Sequence, residues 1–503
     1  MGVVLVCDLG GSSLRSALID ATGQILAQHR IHCVVPSPQS GFSEIDPQLW
    51  WQDVVHCIEA LHAQDSSAFA SVQGLAFCGF TRTQVFIGHD GSVLRPAITW
   101  QDTRADQSIA DLQALLPIQH PETGQINAFH PLARLHWIRQ NEAALFGRLS
   151  TVLDPKDFIA FRLTGSRKSD PISMARLYAA SKPGEDGRTL FEATDLPDQI
   201  LPELASPLAR IGCVQSGLGG ALERLAGKPV FNGCNDTWAA VLGLGAMRSG
   251  MAYNISGTTE VFGVLHEDKA TAEGLLSVDW GGLHQLGGPG QNGADTISWL
   301  LALMDGHEQK HDVGAALSQL LENPRDPQPL LFLPYLNGER VPYWDPALRG
   351  AFVGLNRRHG AVDMAYAVLE GTAFYNRIIL ERAEAATGVA VHEIRFGGGA
   401  AANPVWRQLK ADICGRPVSV VQTQETGLLG CAALAWTGLG QFPSLDAAQQ
   451  AMVKTLSRSE PDPERGIFYD ALYDQFRRAE EALSPLSAAL SKMTLMPSHS
   501  RGI

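Results

Sequence analysis

The chain contains one short pattern twice, and that pattern limits the folds open to it. Residues 3–7 are an unbroken apolar run that ends in Asp8, followed by Gly10, Gly11, Ser12 and Ser13 and a second strand-like segment over 15–19. A continuous apolar run reads as a strand buried on both faces, the kind found inside α/β sheets. Residues 251–255, then Ser256, Gly257, Thr258 and Thr259, then residues 261–265 repeat the arrangement in different letters. Small residues at a strand end allow close backbone approach and leave N–H groups free, which is what phosphate oxygens require. A tight hairpin would look the same at either place alone. Recurrence, one unit per half, suggests a duplicated architecture with a nucleotide between the halves. At 503 residues the chain exceeds one ordinary core and fits two large domains.

Three further stretches carry chemistry. An apolar segment over 229–231 runs into Asn232-Gly233, a turn dipeptide, and Asp236 then opens a small-residue helical run. By local rules Asp236 is a helix N-cap. Its place in the chain between two phosphate-sized loops also allows it to take a proton from a substrate hydroxyl. A buried strand over 72–78 leads into Arg82 and Thr83, and another ends near Trp100 and Asp102. An aromatic face beside guanidinium and carboxylate groups suits a polyhydroxylated ligand, while a surface ion pair beside a core tryptophan is the plainer alternative. Gly397, Gly398, Gly399 and Ala400 follow a strand and precede a helix capped by Asn403 with Pro404 at its first turn. That stripped-down backbone leaves room for a flat ring. Residues 181–198 read as surface excursions, and the chain from about 457 reads as polar and helical.

Composition removes several classes. The balance of 39 basic and 52 acidic residues, −13, argues against a broad nucleic-acid surface. Eight cysteines without a Cys-x-x-Cys pair suggest core thiols in a reducing compartment. The N-terminus lacks the basic region of a signal peptide, and no apolar run is long enough to span a bilayer, so the expected place is the cytoplasm, away from membranes. No Gly-x-x-x-x-Gly-Lys-Ser/Thr run is present, which excludes a Walker-type phosphate loop.

Residues 350–355 (Gly-Ala-Phe-Val-Gly-Leu), the segment 363–371 that follows, and Asn337-Gly-Glu-Arg-Val-Pro-Tyr-Trp-Asp345 resemble the signatures of the FGGY carbohydrate kinases. In order with the other motifs, the resemblance covers residues 3 to about 440. It implies an α/β fold of two ribonuclease H-like (actin-like ATPase) domains with an interdomain cleft. Residues 1–246 would supply the sugar site, first phosphate loop and base, and residues 247–490 the second phosphate loop and adenosine pocket. It further implies ATP and Mg2+ as cofactors, a small sugar or polyol as partner, and allows a homodimer. Carried over residue by residue, Gly10, Gly11, Ser12, Ser13, Ser256, Gly257, Thr258, Thr259, Gly397, Gly398, Gly399, Ala400 and Asn403 would bind ATP. Asp8 and Asp236 would lie at the metal, Asp236 would be the general base, and Arg82, Thr83, Trp100, Asp102 and Asp236 would bind the acceptor. Two departures stand out. Gly11 replaces the usual threonine of the first loop. The acceptor loop lacks the Met-His-Gly of xylulokinases; its Arg82 resembles glycerol kinases, but Thr83 stands where they carry glutamate. A ketopentose such as xylulose is the first expectation, with glycerol, erythritol or another polyol next. An actin-like ATPase that drives a partner protein, or a non-catalytic sugar sensor, is the alternative from another class.

Overall fold

The computed structural model describes residues 2–11, 13–117, 119–305 and 312–493. It forms two compact units, Met1–Gly243 with Glu425–Val453, and Leu244–Gln424 with Lys454–Ile503. The units are therefore not two consecutive halves: the segment Glu425–Val453 packs with the first unit rather than with its sequence neighbours.

The first unit is built on β1 (Val3–Leu9), β2 (Ser13–Asp20), β3 (Ile25–His32), β4 (Val72–Gly79), β5 (Arg210–Cys213) and β6 (Pro229–Asn235), in the order β3-β2-β1-β4-β6-β5. β1 to β3 are antiparallel neighbours, β1, β4 and β6 run parallel, and β5 closes the edge antiparallel to β6. The second unit uses β7 (Met251–Ser256), β8 (Glu260–His266), β9 (Leu276–Asp279), β10 (His284–Pro289), β11 (Glu393–Gly397), β12 (Val418–Val421) and β13 (Thr455–Ser459). Its order is β9-β10-β8-β7-β11-β12-β13, with β7, β11 and β12 parallel and the flanking pairs antiparallel. Leaving out β9, the two sheets share one set of directions and the same order over five strands; they differ at the edge, where β5 precedes its neighbour β6 in the chain and β13 follows its neighbour β12. The duplication expected from two strand–loop–strand units thus extends over five strands.

Helices bury the sheets. The helix Pro47–Gln64 starts at an Asp-Pro pair, with Asp46 accepting the Gln48 N–H at 2.9 Å, and buries Trp50, Val54, Ile58 and Leu61. The long helix Ala361–Thr387 ends at Gly388 in the left-handed region and buries Val368, Leu369, Phe374 and Ile379 in the second core. Among the described residues no helix is long and apolar enough to cross a membrane.

Three sequence expectations are corrected. Asn232-Gly233 is not a turn, because β6 continues through it with a bulge between Phe231 and Cys234. Gly233 has φ +73°, and a Cβ there would lie 1.9 Å from the Phe77 carbonyl of the adjacent strand. Residues 181–198 are not only surface: Leu190, Phe191 and Leu196 enter a separate core with Phe86, Leu135 and Val152. Ser457 lies on edge strand β13, and the helix begins later, at Pro463.

Candidate active site

In the first unit, β1, β4 and β6 end on one edge of the sheet, where Asp8 is opposite Cys78 and Cys78 opposite Cys234. The end of β6 lies two strand spacings from Asp8, about 10 Å. Open α/β sheets bind ligands at this carboxyl edge. Asp8 is 4% exposed; its Oδ2 accepts Arg15 Nη2 at 2.9 Å, and Arg15 Nη1 reaches Glu425 Oε2 at 2.9 Å. Its Oδ1 is buried without a hydrogen-bond partner among the described residues. Burial, opposed by Arg15 and reinforced by the charge on Asp236, pushes the Asp8 carboxyl up to about 6. The loop that follows is a tight hairpin: the Gly10 N–H donates to the Ser13 carbonyl at 3.0 Å, Gly11 is exposed and Ser13 is buried. Ser12 lies outside the described residues.

Asp236 is the first residue of the helix Asp236–Gly243 and is not its cap. Asn235 does the capping, accepting the Trp238 N–H at 2.8 Å. The Asp236 carboxylate instead accepts the Thr237 N–H at 2.6 Å and the Thr237 hydroxyl at 3.2 Å, both through Oδ1. Burial raises its proton affinity above the ordinary carboxylate value. Beneath β6, Lys156 Nζ donates to Asp170 Oδ2 at 2.9 Å, to Asp157, and to the Asn232 carbonyl at 3.3 Å. Thr81, next to Arg82, donates to Asp154 Oδ2 at 3.2 Å. This buried ionic cluster joins the Arg82 loop to the Asp236 strand, and nothing local in the sequence distinguished it from capping residues and surface charge.

The residues expected to meet the acceptor differ in their surroundings. Arg82 lies just past the end of β4 with φ +59°, in the left-handed region. Thr83 is fully buried and its hydroxyl accepts the main-chain N–H of Trp100 at 3.2 Å, so it fixes the backbone at Trp100, a residue 36% exposed. Asp102 faces inward. Arg104 Nε and Nη2 meet its two oxygens at 2.8 and 2.7 Å, and the Ser43 N–H donates to Oδ2 at 2.6 Å. The guanidinium of Arg104 stacks over Phe42. Both Asp102 oxygens are therefore occupied, and the residue braces the turn that carries Trp100.

In the second unit, Ser256, Gly257, Thr258 and Thr259 link β7 to β8, with the Gly257 N–H donating to the Thr259 carbonyl at 3.1 Å. Ser256 is opposite Glu260 on the ladder and its hydroxyl is buried, whereas Gly257 and Thr258 are exposed. Glu260 Oε1 accepts Lys410 Nζ at 3.0 Å and Asn254 Nδ2 at 2.8 Å, a buried charge pair under the loop. The glycine run after β11 reaches the same corner: a Cβ at Gly398 would lie 2.2 Å from the Ser256 carbonyl. Gly398 and Gly399 are exposed, while Gly397 and Ala400 are buried. Asn403 caps the helix Pro404–Cys414, accepting the Trp406 N–H at 3.0 Å. The two segments separated by some 140 residues of sequence thus converge on one edge of the second sheet, as their counterparts Asp8, Arg82 and Asp236 do on the first.

Family models match both parts of the chain. Residues 3–243 match the N-terminal domain of the FGGY family of carbohydrate kinases, and residues 252–439 its C-terminal domain. The chain belongs to the FGGY family of carbohydrate kinases. It is similar to the xylulose kinase of Escherichia coli (strain K12), 29% identical over 498 residues that cover 96% of this chain and 99% of that protein. It is also 29% identical over 500 residues to the glycerol kinase of Geobacter sp. (strain M21), covering 93% and 96% of the two chains. Among solved structures, a xylulose kinase from Brucella ovis superposes with a TM-score of 0.84 at 27% identity over 96% of this chain and 100% of that one. The FGGY chain is thus a sugar phosphotransferase with the actin-like ATPase fold, and ATP is the phosphoryl donor of its family.

Proposed function

We propose that this FGGY kinase transfers the γ-phosphoryl group of ATP to a hydroxyl of a ketopentose such as xylulose. Asp236 carries the reading: its carboxylate stands at the carboxyl edge of the parallel strands, is relieved of capping by Asn235, and has its proton affinity raised by burial. Those are the properties of a general base. In this reading Asp236 aligns the acceptor hydroxyl and takes its proton as the new P–O bond forms. The two loops, Gly10 to Ser13 and Ser256 to Thr259, hold phosphate oxygens through N–H groups other than those of Gly10 and Gly257, which close the hairpins. Gly397, Gly398, Gly399, Ala400 and Asn403 form the adenosine pocket. Arg82 and Trp100 meet the sugar, with Thr83 and Asp102 supporting them.

The residues present fit magnesium. Asp8 keeps a buried oxygen without a protein partner, and Asp236 is the second nearby carboxylate. No group of three or more His, Cys, Asp or Glu among the described residues could hold a metal. That suits an ion bound through one or two carboxylates plus phosphate oxygens and water. When bound, magnesium supplies charge neutralisation on the transferring phosphates.

The choice of xylulose is supported by the relatives that bear that name. Arg82 favours a second reading, a polyol such as glycerol as acceptor, for which the Geobacter relative is named. An ADP-coupled assay over ketopentoses, aldoses, glycerol and erythritol, each with Mg-ATP, decides between them. The ketopentose reading predicts the highest kcat/KM for D-xylulose or another ketopentose; a polyol at the top replaces it with the second. ADP release stimulated by a protein and by no sugar would remove both.

A further inference from the structure

Arg134 lies on the helix Pro131–Asn141 and is fully buried, at 0% exposure. Its hydrogen bonds among the described residues all go to main-chain carbonyls. Nη2 donates to the Arg82 carbonyl at 2.6 Å and to the Phe129 carbonyl at 3.3 Å, and Nη1 donates to the Thr99 carbonyl. A buried guanidinium that meets carbonyls instead of a carboxylate is a poor device for stability, since an apolar side chain of similar volume would avoid the desolvation. Burial lowers its proton affinity to about 9, so it stays charged at neutral pH.

What the guanidinium grips is informative. The Thr99 carbonyl belongs to the peptide group that leads into Trp100, and the N–H of that same group donates to the Thr83 hydroxyl at 3.2 Å. The peptide plane before Trp100 is therefore held from both sides. The Arg82 carbonyl belongs to a residue with φ +59°, a conformation that non-glycine residues leave unless something holds them. One planar fork ties these two loops together, and only a rigid fork of several donors can do so; the single ammonium of a lysine is a point charge on a flexible stem. We propose that Arg134 is a positioning residue for the acceptor: its guanidinium sets the spacing and orientation of the Arg82 and Trp100 side chains, and so the selectivity between acceptors. This rests on the proposed assignment of Arg82 and Trp100 to the sugar.

The test compares R134M, R134K and R82A with the unaltered chain, using Mg-ATP with D-xylulose and with glycerol, and recording thermal midpoints. R134M is expected to raise the KM for the better acceptor at least tenfold, to leave the KM for ATP within twofold, and to bring the kcat/KM ratio of the two acceptors at least fivefold closer to one. R134K is expected to fall between R134M and the unaltered chain, and it decides by the same ratio if R134M does not fold. A merely structural role would lower kcat and raise both KM values together, or leave the selectivity ratio unchanged in a folded variant; either result overturns the proposal. R82A separates the two layers. An unchanged acceptor KM in R82A removes Arg82 from the acceptor site, whereas a raised one beside an unchanged selectivity ratio in R134M and R134K overturns the role of Arg134 alone.

Discussion

Asp236 shows how a local rule and a chemical role come apart at one residue. An acid that opens a helix is read as its cap, yet Asn235, one position earlier, accepts the Trp238 N–H and takes that duty. Asp236→Asn keeps the shape and the Thr237 contact while removing the basic oxygen pair. Its kcat is expected to fall by about a thousandfold, within the range a positioned base contributes, while the Kd for ADP, measured by calorimetry, changes little; near-normal turnover would remove Asp236 from the base role. A second residue-scale test sits at Gly427, the second residue of the helix Thr426–Gly438. A Cβ there would lie 2.7 Å from Asp8 Oδ2, which also accepts Arg15 Nη2 at 2.9 Å. Helix propensity alone makes Gly→Ala stabilising by up to about 1 kcal/mol. If Asp8 serves the metal, Gly427→Ala weakens Mg-ADP binding roughly tenfold, about 1.4 kcal/mol, without lowering the thermal midpoint. Unchanged Mg-ADP affinity would show that Asp8 can swing aside at no loss.

At the scale of elements, caps and buried strands were legible because their signals are local. Asp46-Pro47, Asp154-Pro155 and Asn403-Pro404 all open helices as their sequences indicate. β3 and β13 were not, since edge strands bury only alternate residues or fewer and read as polar segments. The helix Pro131–Asn141 was missed for another reason: its cap is His130, whose Nδ1 accepts the Leu132 N–H at 3.1 Å. Burial, opposed by Glu122, lowers the proton affinity of His130 from 6.5 to about 4. Between those values the unfolded chain binds a proton that the folded one refuses. Stability from this group is therefore complete above pH 6.5 and is lost as pH falls towards 4, by at most about 3 kcal/mol. Asn is a good cap and does not titrate in this range. His130→Asn is expected to show a smaller drop in urea-unfolding free energy from pH 7 to pH 5 than the unaltered chain; equal drops would mean that His130 is already protonated in the fold.

Over the whole molecule, the repeated strand–loop–strand units made the duplication visible, and family signatures made the chemistry visible, but neither indicated that Glu425–Val453 belongs to the first unit. The sequence carries no local mark of it, because a helix that packs against a distant strand looks like one that packs against a near one. Its physical basis is plain in the structure. The helix Thr426–Gly438 buries Leu428, Leu429, Leu434 and Trp436 and packs against β1, β4 and the helix Asp236–Gly243. Burying four such side chains is worth roughly 6–12 kcal/mol, as much as the whole stability of a typical domain, about 5–15 kcal/mol. Residues 1–243 expressed alone should therefore expose that apolar face, bind a hydrophobic dye and unfold without a cooperative transition. The break can be closed cheaply in length: a Cβ on Gly243 would lie 1.9 Å from the Thr426 carbonyl, so the two ends of the first unit are neighbours. A chain of residues 1–243 joined to 425–453 by a short Gly/Ser linker is expected to unfold cooperatively by circular dichroism and calorimetry. Cooperative unfolding of 1–243 without the returning segment, at a similar midpoint, would show that the helix is an accessory to the first core rather than a part of it.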